Sequence, residues 1–244
     1  MSNMPNPFGA PTGPRTLDYG AERAGSTVLV SFFNQVYAWM ATGLALTALV
    51  AWWVANNYKA FPAVFNPGVL IGIFVVEIIL VVTIAGAVNK VNATFATVLF
   101  LLYAALNGVT LAGLFMIYTQ ASLAGTFLAT AGTFGAMSVY GMVTRRDLTS
   151  LGSILFMALI GLIIASVVNL FWANSMLYWI ITYAGILIFV GLTAYDTQKL
   201  KYIALATADN ARMASRMAIS GALSLYLDFV NLFLLLLRLM GDRR

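Results

Sequence analysis

The chain has 244 residues, of which 61% are hydrophobic and 9% charged, with a net charge of +5 and a mean hydropathy of +0.91. A soluble domain carries about 25% charged residues, so most of this chain has lipid for its solvent and a water-facing globule is excluded. Cysteine and histidine are both absent, which removes disulfides, thiolate chemistry, the usual near-neutral proton switch and the commonest metal ligand.

Residues 1–27 are rich in Pro, Gly and Asn and almost without periodicity. They read as a disordered cytoplasmic tail, not as a signal peptide, which would open with a short apolar core. Residues 28–244 read as one seven-helix transmembrane domain. Its apolar runs fall near 30–54, 69–88, 93–117, 121–142, 151–173, 176–197 and 215–240, each long enough to cross a ~30 Å hydrocarbon core. None holds an internal proline, so any bend comes from glycine or polar residues.

Basic residues orient the spans. Arg15, Arg23, Lys90, Arg145, Arg146, Lys199, Lys201, Arg212 and Arg216 fall on one side, whereas Lys59, Arg243 and Arg244 fall on the other. By the positive-inside rule the N-terminus is cytoplasmic and the C-terminus periplasmic or extracellular. The same placement argues against nucleic acid as a partner. Small residues at four-residue spacing (Ala104, Gly108 and Ala112; Ala121, Gly125 and Ala129; Gly161 and Ala165) are expected to let helices pack closely in lipid.

Four ionisable residues lie within the runs: Glu77, Asp196, Asp228 and Arg238. Such groups are expensive in hydrocarbon and face protein or water. Glu77 sits mid-run in IGIFVVEIILVVT, and Arg238 in the last turns of the seventh. If the second and seventh helices touch, the two could neutralise each other; otherwise Arg238 snorkels to the surface. Asp196, in GLTAYDTQKLK, is a turn from Lys199 and reads equally as a helix-end charge or a functional acid. Asp228 is too deep to snorkel, and shares one stripe with Asn231, Leu235 and Arg238. It is either packing glue among hydroxyls or a functional acid. Asp196 and Asp228 lie on consecutive antiparallel helices, in the same half of the membrane. Two carboxylates held close cannot both ionise freely and titrate as a unit. Such a pair could sense pH without histidine, or ligate a hard cation such as Ca²⁺ through oxygen.

FVGLTAYDTQKLK and ALSLYLDFVNLFLLLLRLMG, together with Thr144–Phe171 and Leu101–Ala112, resemble the Bax inhibitor-1 family (transmembrane BAX inhibitor motif proteins), its bacterial members in particular. The resemblance implies a bacterial inner-membrane protein with seven helices, the last surrounded by the other six. It implies a pH-dependent Ca²⁺ leak controlled by a di-aspartyl sensor, Asp196 and Asp228, and a gating ion pair, Glu77 with Arg238. Asn231 and Tyr195 are further candidates for the ion path or polar stripe. Family members can carry an arginine at the end of the second helix that bridges to an aspartate; here AGAVNKVN offers Lys90 instead.

The reading is a membrane channel with no cofactor, and Ca²⁺ and protons as its ligands, in place of an enzyme. A non-transporting regulator that binds a membrane protease or stress component is the alternative. Tyr195-Asp196 invites comparison with intramembrane aspartyl proteases, but their second acid sits in GxGD, whereas Asp228 follows Leu225, Tyr226 and Leu227. A proton-coupled transporter would show an inverted repeat or proline-broken helices, and neither is present.

Overall fold

The computed structural model describes residues 19–60, 62–87 and 92–244, with side chains from residue 25 onward except that of Ala87. Residues 1–18, and Lys90 as a stand-in for the family's arginine, lie outside the described residues.

Seven helices follow one another: α1 (Tyr19–Asn56), α2 (Pro67–Ala87), α3 (Ala93–Ile117), α4 (Gln120–Val143), α5 (Thr149–Trp172), α6 (Ser175–Ala206) and α7 (Ala211–Met240). All seven are long and apolar enough to cross a membrane. A single 3₁₀ turn, Pro62–Phe65, precedes α2. The chain is therefore an all-α polytopic membrane protein.

Helix ends follow local chemistry. Pro67 opens α2, where its missing N–H is no loss. Asn92, Thr119, Asn174 and Asn210 cap α3, α4, α6 and α7, each side chain accepting from the N–H three residues on. Two boundaries differ from those read in the sequence. α1 begins at Tyr19, not near 30, because Ala21, Glu22, Arg23 and Ala24 are good helix formers. The long connection expected over Gln198–Arg216 shrinks to residues 207–210. That stretch is polar enough to leave the bilayer, yet its Ala, Leu, Lys, Met and Arg keep it helical.

Small residues set the closest approaches. A Cβ on Gly108 of α3 would lie 2.7 Å from the Thr47 carbonyl of α1, and one on Gly141 of α4 would run into the Ala194 carbonyl of α6. Of the expected small-residue stripes, Ala104, Gly108 and Ala112 are buried. Gly125 and Gly161 have open space around them. α4 packs instead through Leu123, Thr126, Thr130, Phe134, Ser138 and Gly141.

α7 packs against α1, α2, α3, α4 and α6, whereas α5 rests on α6. The main core joins Phe32, Phe33 and Val36 of α1, Phe100 and Tyr103 of α3, and Leu225, Tyr226 and Phe229 of α7. The last residues are tied back to the α3–α4 turn. Tyr118 bridges Arg243 in antiparallel fashion, the Thr119 N–H donates to the Asp242 carbonyl (3.2 Å), and the Arg244 N–H donates to Ile117 (2.9 Å).

Candidate functional site

Asp228 sits in the middle of α7, twelve residues from its end at Met240, or about 18 Å at 1.5 Å per residue. It is 5% exposed, and its Oδ2 has no hydrogen-bond partner among the described residues. An unpartnered carboxylate oxygen this deep is costly whether it faces protein or lipid. Packing glue would have used that oxygen, so hydroxyl bonding alone does not account for the residue.

Asp196 lies on α6, the helix before α7 in the chain and packed against it. It is half-buried, while Lys199, one turn on, is exposed. The two aspartates that the sequence singled out thus lie on helices that pack against each other. No cluster of three or more His, Cys, Asp or Glu residues occurs among the described residues. Any cation held by the pair would need oxygens from elsewhere, such as backbone or water.

The level of Asp196 is laced by hydroxyls. Thr197 donates to the Thr193 carbonyl (2.8 Å), so at its 2.9 Å contact with Ser138 it can only accept. Ser138 therefore donates to Thr197 and accepts from the Tyr37 hydroxyl at 2.7 Å. This run joins α1, α4 and α6. Beside it, Gln198 holds the α4–α5 loop, donating through Nε2 to Arg146 and accepting from the Leu148 N–H, both at 2.8 Å. Lys201 donates to Met142 (2.9 Å). In the same loop Asp147 accepts from the Thr149 N–H (2.9 Å), and the hydrogen bonding of Thr149 holds its carboxyl below the usual range.

The Glu77–Arg238 pair expected from the sequence is not formed. Glu77 is 4% exposed and accepts from the Thr110 hydroxyl of α3 at 2.8 Å. The Arg238 guanidinium lies over the Tyr178 ring, 4.7 Å from its centroid. Depth separates them. Pro67 and Met240 end their helices on the same side of the bundle, yet Glu77 is ten residues inside and Arg238 two. That is a gap of about 12 Å, and an aromatic ring at the surface is the nearer partner for Arg238.

Two other candidates have partners of their own. Tyr195 packs its ring on Gly152 of α5, away from the α6–α7 contact. Asn231 is half-buried and donates to the Leu227 carbonyl of its own helix (2.8 Å). The sequence reading missed Tyr226. Fully buried, its hydroxyl lies 2.7 Å from Thr47 Oγ1 of α1 and donates to Asn107 Oδ1 of α3 at 3.3 Å. The clue was available: a mid-span tyrosine needs a partner for its hydroxyl, and Thr47 and Asn107 are mid-span polar residues.

Seven apolar spans, with one acid on each of the packed helices α6 and α7, define a polytopic membrane protein. Its lineage is equally plain. The family model for the inhibitor of apoptosis-promoting Bax1 matches residues 29–244, and the chain belongs to that family, Bax inhibitor-1. It is 48% identical over 234 residues to "Inner membrane protein YbhL" of Escherichia coli K12, covering 95% of this chain and 98% of that one. A Borreliella burgdorferi protein is 44% identical over 229 residues (93% and 99%), and one from Deinococcus radiodurans 40% over 213 (87% and 91%).

Proposed function

We propose that this protein is a pH-sensitive cation leak of a bacterial inner membrane, with Ca²⁺ the principal permeant ion and Asp196 and Asp228 the gate. The observation that carries the reading is the buried Asp228 oxygen left without a hydrogen bond, on the helix next to a second acid. Family membership and the inner-membrane name of the Escherichia coli relative support it.

The physical account is short. Two neighbouring carboxylates repel when both are charged, and a single proton shared between them removes the repulsion. Binding that proton draws α6 and α7 together; releasing it favours a more open arrangement in which a cation replaces it. The pair then biases a two-state equilibrium by its differential affinity for the proton. The N-terminus lies on the cytoplasmic side by the distribution of basic residues. Glu77, bonded to Thr110, and Arg238, on Tyr178, take part only if opening brings them to one depth.

The deciding measurement is Ca²⁺ flux into proteoliposomes across about pH 5–8, with Asp196→Asn and Asp228→Asn beside wild type. Flux with a pH dependence that flattens in both variants is expected. An unchanged pH profile in both would rule out the acid pair as the gate. Absence of flux in wild type, with co-purification of a membrane protease that survives both substitutions, would establish the regulator reading instead.

A further inference from the structure

Away from the acids, a cavity of about 420 Å³ opens among α1, α3, α4 and α7. That is within the ~300–1,000 Å³ of small-molecule sites. Thirteen of its fifteen lining residues are apolar, and only Thr47 and Gln120 bring polar side chains. The Thr47 hydroxyl is already occupied by the Ala104 carbonyl and Tyr226. Bound water needs two to four polar partners, which these walls do not offer, and a cation would find no oxygens to replace its hydration. The cavity is thus neither an ion path nor a water pocket.

Its mouth faces sideways into the bilayer, since the lining residues Trp52 and Phe127 are 51% and 43% exposed. What lies beyond that mouth is hydrocarbon. At its other limit the lining residues Leu114 and Phe115 pack with Tyr118. The Arg243 guanidinium lies over the Tyr118 ring, 6.0 Å from the centroid, and the backbone N–H of Arg244 donates to the Ile117 carbonyl. The apolar slot therefore ends next to the Tyr118 turn, against which the C-terminal residues with their two exposed cationic side chains are tied, an arrangement that complements one lipid tail and one phosphate.

We propose that this cavity binds one acyl chain of a bilayer phospholipid, with the lipid phosphate held by Arg243 and Arg244. The occupant touches α7 at Phe229, Val230 and Phe233. It braces the segment directly after Asp228 and fills a space that would otherwise lack packing partners. The site is independent of ion conduction and stands or falls separately from it.

The test uses full-length protein in mild detergent with Trp52 as its only tryptophan (Trp39, Trp53, Trp172 and Trp179 changed to Phe). Phosphatidylglycerol with a brominated chain is the probe, and fluorescence quenching the readout. Quenching that saturates near one lipid per chain is expected, and Ala124→Phe, which fills the cavity from a partly open position, abolishes it. Arg243→Gln and Arg244→Gln each weaken the affinity by about fivefold, with the plateau kept. Quenching that never saturates, or a plateau unchanged in Ala124→Phe, overturns the acyl-chain site. Affinity unmoved by both arginine substitutions overturns the phosphate assignment. Should Ala124→Phe fail to fold, Ala48→Leu serves the same purpose. The wild-type native mass then decides independently: one retained phospholipid is expected, and a bare chain overturns the proposal.

Discussion

α5 and α7 have similar lengths and opposite surroundings. α5 carries no charged residue and buries Gly152 alone of its 24 residues. α7 carries Arg212, Arg216, Asp228 and Arg238 and buries thirteen of thirty. In water the ranking would be reversed, because burial there follows apolar character. In lipid the solvent is as apolar as leucine, so an apolar helix gains nothing by hiding. Carrying an acid at mid-span, α7 is held inside, and its apolar residues are buried with it.

Several substitutions sharpen or break this contrast. The largest expected difference is between leucine-sized truncations. Leu232→Ala, at a fully buried α7 position, should cost about 2–5 kcal/mol, while Ile163→Ala in α5, 55% exposed, should stay within about 0.5 kcal/mol. Reversible unfolding in mixed micelles measures both; equal losses would end the comparison. Next come the glycines. Gly141→Leu must push α4 off the Ala194 carbonyl, whereas Gly161 has open space. A loss of about 1–3 kcal/mol or more is expected for the first and almost none for Gly161→Leu, read as melting temperature.

Smaller again is Tyr226→Phe, which removes the hydroxyl shared with Thr47 and Asn107. Bonds between helices in membranes are worth about 0.6 kcal/mol on average, so a loss near 1 kcal/mol in the same unfolding assay is expected. At the far end of α5, Ala173 has φ 45°, a left-handed conformation that costs an L residue roughly 1–2 kcal/mol. Ala173→Gly should recover part of that as a higher melting temperature. The least effect belongs to Asp147. Its carboxyl is held below the usual range by Thr149, so its contribution is present at neutral pH and fades as pH falls through the folded value. Asp147→Asn should remove that slope from melting temperatures measured on the acid side, and change little near neutrality.

Hydropathy made the seven spans legible, and short connections made consecutive helices antiparallel, so Asp196 and Asp228 could be assigned to packed neighbours, α6 and α7. Depth was where the reading failed. Glu77 and Arg238 were paired by charge, and the ten residues against two that separate them from their helix ends put them out of reach. Helix rotation was equally hidden. Nothing in TAYDTQ says that Tyr195 turns to Gly152, because α6 buries residues on several sides. Tyr226 escaped notice because its partners come from α1 and α3, far off in sequence.

The run Tyr37, Ser138, Thr197 has one more consequence. Each hydroxyl owns a single hydrogen, and all three are already committed in one direction, ending on the Thr193 carbonyl. Such a queue is a dead end for hopping charge: its last member has nothing to hand on. Asp196, next in sequence to Thr197, receives no hydrogen from it, so a proton that Asp196 exchanges does not travel through this run. The run is a fastening of α1, α4 and α6 and not a wire for protons.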